Sequence, residues 1–596
     1  MRYHWYLLSI LTAPLAHLAV SLRPPWNDTR VKHMWDSIPA NWEYLGYPHP
    51  GTTIDLYIAL KSCRENALID ALYEVSDPGH PKHVFLTSLL THILMYATLF
   101  SRYGEHLSQE QVAELVAPHP ATLELVNLWL EHNSVPPSSV SMTHGGNWLT
   151  VTGVPVPQAS KLLGASYGLY WHAKTNETIV RTLGYALPAV LIPHVLTVAP
   201  TTFFASAGTL QQAPRRHPAM LTAKKAKATS RDPVKVLPSR QLPDYKVIPS
   251  DLRWLYNTFA YKPAATDRNA LGIAGFLNEY PNQADLTKFM GEFREDALDA
   301  DYTVEYVNGG QYNENLPGIE GNINIQYASA MAYPTPQIYY TIGGETQVYD
   351  DTGEPAPGDV FLEWFNFLSK QEKIPQTIST SYGTDEKDCP LEYAKALCDQ
   401  FAQLGARGVS ILYASGDDGV GAGDCKGDDG NVHFIPLFPA SCTYGILSII
   451  ACSTSRSPGC HGFAGPFVTA VGGTMGIFPE VAASLSGGGF SNIFDRPPYQ
   501  KKVVPDFLRK LGSKYAGLYK CIFCCDLTWT ILTLQLVQRY WPRYPRHCRS
   551  GNQFYNRFQW FVWSRERHEL RCTSASFLPL CTILPRILSR PPLSRP

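Results

Sequence analysis

Thr377-Ile378-Ser379-Thr380-Ser381 and, further on, Val409-Ser410-Ile411-Leu412-Tyr413-Ala414 with Ser415-Gly416-Asp417 behind it decide the fold. Each is a short run of β-branched and apolar residues closed by small polar ones, the pattern of a strand buried in a sheet. Residues 393–404 between them have helical spacing. The alternation continues upstream. Ala270-Leu271-Gly272-Ile273-Ala274-Gly275-Phe276 reads as a buried strand, 283–293 as a helix, Ile338-Tyr339-Tyr340-Thr341 as a strand and 361–369 as a helix. Strands alternating with helices imply an α/β domain, a mostly parallel sheet with helices on both faces. Ligands bind such sheets beyond the carboxyl ends of the strands, which makes Ser415-Gly416-Asp417 candidate chemistry.

Nearer the start, residues 66–72 and 109–116 have helical spacing, the second after a Ser108 cap. Trp148-Leu149-Thr150-Val151-Thr152-Gly153 alternates like a strand, and 159–163 reads as a short helix. Periodicity is lost over 206–243, where Ala223-Lys224-Lys225-Ala226-Lys227-Ala228 is polar and basic. That suits a linker open to proteolysis or a plain surface loop. Residues 1–21 run from a weakly basic start through an apolar stretch to Ala19-Val20-Ser21, the pattern of a secretory signal peptide too short to span a membrane. An extracellular product follows from it. Secretion makes Asn27, in Asn27-Asp28-Thr29, and Asn176, in Asn176-Glu177-Thr178, candidate glycosylation sites.

The 596 residues suggest three or four domains at roughly 150 each, or two with extensions. A formal charge of −1 argues against a nucleic-acid partner. Hydrophobic content of 45% supports a large packed core and excludes wholesale disorder. Thirteen cysteines are too few for a disulfide scaffold of this length, and their spacings give no convincing zinc site. Cys425 and Cys442 flank a loop that a disulfide would close, and Cys389 with Cys398 is a second candidate pair; sequence does not decide the pairing.

Four stretches taken in order resemble the sedolisin family, the serine-carboxyl peptidases, in its fungal tripeptidyl-peptidase branch. They are Gly318-Ile319-Glu320-Gly321-Asn322-Ile323-Asn324-Ile325-Gln326-Tyr327, Ile378-Ser379-Thr380-Ser381-Tyr382-Gly383, Ala414-Ser415-Gly416-Asp417 and Ser486-Gly487-Gly488-Gly489-Phe490-Ser491. Tyr103-Gly104-Glu105-His106-Leu107 and Ser141-Met142-Thr143-His144-Gly145-Gly146 resemble that family's activation propeptide. The resemblance implies a subtilisin-like parallel sheet with flanking helices over 244–516, preceded by an α+β, ferredoxin-like activation propeptide over 22–205, with 206–243 as linker and maturation region. It implies a secreted, zymogen-derived monomer acting on protein or peptide substrates and bound by its own propeptide. Calcium is implied near the C-terminus, with ligands that this sequence does not identify.

By the same resemblance Glu320 is the general base for a serine nucleophile, Asp417 the oxyanion residue, and Ser381 with Gly487, Gly488 and Gly489 bind substrate. The chemistry is coherent. A histidine base with a pKa near 6.5 would be protonated in acid, whereas a carboxylate near 4 still accepts a proton. A protonated carboxyl can also donate to a developing oxyanion. Asn324 departs from the pattern, because the family has aspartate there. An amide can hold Glu320 by a hydrogen bond but cannot relay a proton, so activity is expected to be reduced or lost. Glycine at 487–489 allows substrate backbone to approach closely.

Three stretches break the pattern. Residues 84–101 separate His80-Pro81-Lys82 from Tyr103-Gly104, and 443–465 separate Phe438-Pro439-Ala440-Ser441-Cys442 from Pro466-Phe467-Val468; both read as retained introns. From Gly517 on, eleven arginines stand against one lysine, periodicity disappears, and the family's Gly-Thr-Ser nucleophile motif is absent. Arg567-His568-Glu569-Leu570-Arg571, reverse-translated and shifted by one base, reads Gly-Thr-Ser-Cys-Ala. Pro545-Arg546-His547-Cys548-Arg549-Ser550 in the same frame begins Pro-Asp-Ile-Ala-Ala. Residues 517–596 are therefore expected to be frame-shifted. The competing expectations are a catalytically inactive fold that binds peptides or its propeptide, and an endopeptidase of the same fold.

Overall fold

The structure is a computed structural model that describes residues 26–64, 66–76, 104–205, 247–344, 358–421, 432–442, 467–475, 481–483, 485–497, 500 and 503–511. The signal-peptide reading, the inserted stretches 84–101 and 443–465, the 206–243 linker, Cys425 and the 517–596 tail lie outside them.

The N-terminal part is built from antiparallel strands. They are β1 (Thr29–Met34), β2 (Trp42–Gly46), β3 (Thr53–Leu60), β4 (Val140–Met142), β5 (Trp148–Pro155), β6 (Gly168–His172), β7 (Thr178–Arg181), β8 (Gly184–Pro188) and β9 (Val195–Ala199). The largest sheet runs β4-β5-β3-β9, beside a three-stranded β2-β6-β7 sheet and a β1-β8 pair. The helix Gln109–Val116 begins at Ser108, the cap its sequence predicts, and a reciprocal capping box to Gln111 closes its first turn.

In the C-terminal part, six strands form one parallel sheet: β10 (Leu271–Gly275), β11 (Thr303–Val307), β12 (Gln337–Ile342), β13 (Thr377–Thr380), β15 (Ser410–Ala414) and β17 (Thr469–Val471). Their order is β11-β12-β10-β13-β15-β17. After β10 the chain runs to the edge with β11, returns between the two with β12, then crosses to the other side of β10 with β13 and builds outward there through β15 and β17. This reversal opens a crevice at the carboxyl ends. Two short strands, β14 (Thr384–Asp385) and β16 (Leu437–Phe438), pair antiparallel beyond the sheet. The helix Ile319–Ala332 is buried from Glu320 to Ala332. A helix apolar or packed on every side belongs to the interior, and this one carries site residues into it.

One core joins the two parts. Tyr57, Leu68, Leu72 and Phe203 pack in the same buried cluster as Phe361, Trp364, Tyr393 and Phe401. The Phe203 ring stacks on Tyr393 at 4.2 Å. Tyr57 donates its hydroxyl to the Glu363 carboxylate, and Gln109 Nε2 donates to the Ser369 carbonyl at 2.7 Å. Arg181, buried at 2% exposure, is within electrostatic reach of Asp359, the buried carboxylate that caps the helix Val360–Lys370.

The disulfide expectation needs correction. Cys398 is bonded to Cys442, with Cα atoms 5.5 Å apart, and Cys389 is a free, buried thiol. Cys389 precedes the helix Leu391–Ala406, and Cys398 lies two turns inside it. At 1.5 Å per residue that separation is roughly 10 Å, too long for one disulfide.

Candidate active site

Three loops at the carboxyl ends of the sheet and one helix N-terminus build the site. Glu320 sits in the first turn of Ile319–Ala332, its N–H donating to the Glu279 carboxylate at 3.2 Å. Glu279 follows β10. Gly318 makes this approach possible, since a side chain there would overlap Glu279. Ser381 follows β13, and Asp417 follows β15 in the loop Ser415-Gly416-Asp417. Glu320, Asn324, Ser381 and Asp417 are all buried.

Glu320 is the electrostatic centre. Burial, then the charge of Asp417, then that of Glu279 push its carboxyl up to about 8. The Asn324 amide and the Ser381 hydroxyl act the other way by favouring the ionised form. Asn324 lies one turn along the helix, on the face of Glu320, and its Oδ1 is buried without a hydrogen-bond partner. Desolvation and the like charges of Asp417 and Glu279 disfavour the ionised form of Glu320.

The glycine run lies against the Asp417 loop. Gly487 N–H donates to the Gly416 carbonyl at 2.8 Å, and Gly419 N–H to the Leu485 carbonyl at 2.7 Å. Ser415 Oγ donates to the Gly487 carbonyl at 3.1 Å. A Cβ on Gly487 would collide with the Ser415 carbonyl, while Gly488 faces open space apart from Val420. Gly489 has φ +137°, a conformation that favours glycine. Glu320, Asn324, Ser381, Asp417 and Gly487–Gly489 thus gather at one end of the sheet. The candidate glycan acceptors Asn27 and Asn176 are exposed and stand apart in the N-terminal domain. Cys389 and the bonded Cys398–Cys442 pair contribute no group to the site. Glu279 was missed from sequence, although its position after a parallel strand marks it.

Among the described residues no group of three or more histidine, cysteine, aspartate or glutamate side chains is arranged to hold a metal ion. The C-terminal segment expected to bind calcium lies outside the described residues. No helix among the described residues is long and apolar enough to cross a membrane.

A parallel α/β sheet with two buried carboxyls, Glu320 and Asp417, beyond the carboxyl ends of its strands places them where such sheets hold ligands. Comparison with known proteins narrows this. Residues 94–204 match the Pro-kumamolisin activation domain, and the sheet that holds them also includes β3 from upstream. The chain is 31% identical over 517 residues to tripeptidyl-peptidase SED2 of Arthroderma otae, covering 85% of this chain and 77% of that protein. It is 30% identical over the same shares to the probable tripeptidyl-peptidase SED2 of Arthroderma benhamiae. A Pseudomonas sedolisin complexed with pseudo-iodotyrostatin is a distant structural neighbour. It shows 17% identity and a TM-score of 0.29 over 44% of this chain and 67% of that one. The chain belongs to the sedolisin family of serine-carboxyl peptidases and carries that family's activation domain.

Proposed function

We propose that this is a secreted, acid-acting peptidase that releases tripeptides from protein N-termini, held latent by its activation domain. The observation that carries the reading is the buried Glu320–Asp417 pair. Coupled carboxyls lose protons in steps that belong to the pair. Between those steps the pair holds one proton, and so offers one acceptor and one donor. With Glu320 pushed up to about 8, the shared proton rests mainly on Glu320 in acid, and the reactive state is the minor one with that proton on Asp417; in it Glu320 takes the proton of a serine hydroxyl as the oxygen attacks the substrate carbonyl. Asp417, protonated, donates to the developing oxyanion. The peptide C–N bond breaks, the proton passes from Glu320 to the leaving amine, and water then releases the tripeptide from the acyl-enzyme. Ser381 and the glycine run hold the substrate backbone.

The activation domain bears on the same region. Lys174, in the β6–β7 turn, is within electrostatic reach of Asp418, beside Asp417. Cleavage within 206–243 would free the catalytic domain, and glycans on Asn27 and Asn176 would leave with the propeptide. The serine is assigned to the Gly-Thr-Ser of the shifted frame, and calcium to the segment beyond it.

Asn324 favours a second reading, a catalytically dead fold that holds peptides or its propeptide. The test compares the chain as written with the product of the shifted frame, each incubated in acid with a long peptide and read by mass spectrometry. Tripeptide ladders from the restored product support the proposal. Internal cuts identify an endopeptidase instead, and uncut peptide in both samples supports the inactive reading. Transcript sequencing across 80–105, 440–470 and 515–596 tests the introns and the frame directly.

A further inference from the structure

Glu386 lies outside the residues assigned above, yet it is wholly buried at 0% exposure. It follows β14, and its N–H donates to the Pro436 carbonyl at 3.0 Å, which fixes it to the β14–β16 pair. Its carboxylate accepts from two consecutive residues just beyond the glycine run. Ser491 Oγ donates to Oε1 at 2.5 Å, and Asn492 N–H donates to Oε2 at 2.6 Å. The Ser491 oxygen in turn accepts the N–H groups of Ile493 at 3.1 Å and Phe494 at 2.9 Å. One carboxylate therefore organises the backbone from 491 to 494.

The opposite end of the run is held separately, by Ser415, Gly416 and Gly419 of the Asp417 loop. Between the two anchors stand Gly488, Gly489 and Phe490. Glycines bring no side chain with which to hold a conformation, and they lose more conformational freedom on ordering than any other residue. Their order must come from the ends. A buried carboxyl is retained only where its hydrogen bonds compensate its desolvation, and here, besides the Ser441 hydroxyl, the donors that do so belong to the loop. We infer that Glu386 is the positioning residue of the peptide-binding glycine loop, fixing 488–490 across the crevice from Glu320 without itself touching substrate.

The inference rests on the peptide-binding reading of Gly487–Gly489, so the experiment has two arms, both on the full chain. Hydrogen exchange read by mass spectrometry over 485–494 should be at least tenfold faster in Glu386→Ala than in the parent, with β15 (410–414) unchanged. Glu386→Gln keeps the shape and one acceptor and should fall between. In the second arm, the affinity of a fluorescein-labelled Ala-Ala-Ala peptide with a free N-terminus should weaken at least tenfold in Glu386→Ala and about threefold in Glu386→Gln. Unchanged exchange over 485–494, or unchanged affinity where the parent binds, overturns the inference. A parent that binds no peptide while the exchange arm behaves as stated overturns the peptide reading alone and leaves Glu386 as the loop's anchor. Should Glu386→Ala not fold, Glu386→Gln and Ser491→Ala decide both arms, with faster exchange over 491–494 expected and parental exchange contradictory.

Discussion

Glu320 is set by four neighbours that pull in two directions, and this makes the site testable one side chain at a time. Ser381 and Asn324 favour its ionised form, so Ser381→Ala removes a donor and should raise the Glu320 titration further. Carboxyl 13C NMR reads the shift, and a midpoint that falls would contradict the assignment. Asn324→Asp restores a carboxyl where the amide's Oδ1 has no partner. In the shifted-frame product it should raise kcat by roughly tenfold or more, in line with the 10²–10⁴-fold range of positioned acid–base groups; an unchanged kcat would show that the substitution is silent. At this scale the sequence was informative where a carboxyl follows a strand in a recognisable motif, as Asp417 does. It was uninformative for Glu279 and Glu386. A lone acidic residue in a loop has the same spelling whether it is solvated or buried, and only the fold distinguishes the two.

Four of the six strands of the parallel sheet, β10, β12, β13 and β15, and the helices between them were legible because their apolar runs are long and their breaks clean; the half-exposed edge strand β11 and the short β17 were not. The helix Ile319–Ala332 was not, since every face is buried and no amphipathic stripe marks it. Its place came from the motif around Glu320. The strand β3 was also missed: Asp55 interrupts a run that is otherwise buried towards its end. The disulfide pairing needed three-dimensional proximity, which cysteine spacing does not encode. Cys398–Cys442 closes a separation of 44 residues between a helix and the end of the β14–β16 region. Chain-entropy reasoning gives such a closure about 4 kcal/mol. Cys442→Ser should therefore lower the unfolding free energy in guanidinium by up to about that amount, and a loss below about 0.5 kcal/mol would mean that the bond constrains little.

Across the whole molecule, several buried carboxyls share one sign. Glu320 is pushed up to about 8, Glu386 to about 7 and Asp359 to about 6, in each case chiefly by burial. A carboxyl whose folded pKa is raised contributes stability that is fully present below its unfolded value near 4. That contribution is lost as pH rises through the folded value. His172, lowered to about 4 by burial, works oppositely and withdraws stability as pH falls below about 6.5. The fold should thus gain stability as pH falls from 8 to about 4.5, with His172 offsetting one of the three carboxyls below about 6.5. Calorimetry should show Tm rising by several degrees over that window; a Tm that falls would refute the shared burial argument. The interface should respond as well. Tyr57→Phe removes a hydroxyl donor to Glu363 and should cost roughly 1.5–3 kcal/mol of zymogen stability in a urea titration, the range for bonds to charged groups.

The claim beneath all of this is that Glu320 and Asp417 form one proton-sharing pair. Carboxyl 13C NMR of the full chain, with the Glu320 signal assigned by its Gln variant, tests it most directly. A Glu320 midpoint near 8 that drops by at least one unit in Asp417→Asn is the predicted result. A midpoint near the ordinary 4.5, indifferent to Asp417, would contradict the account.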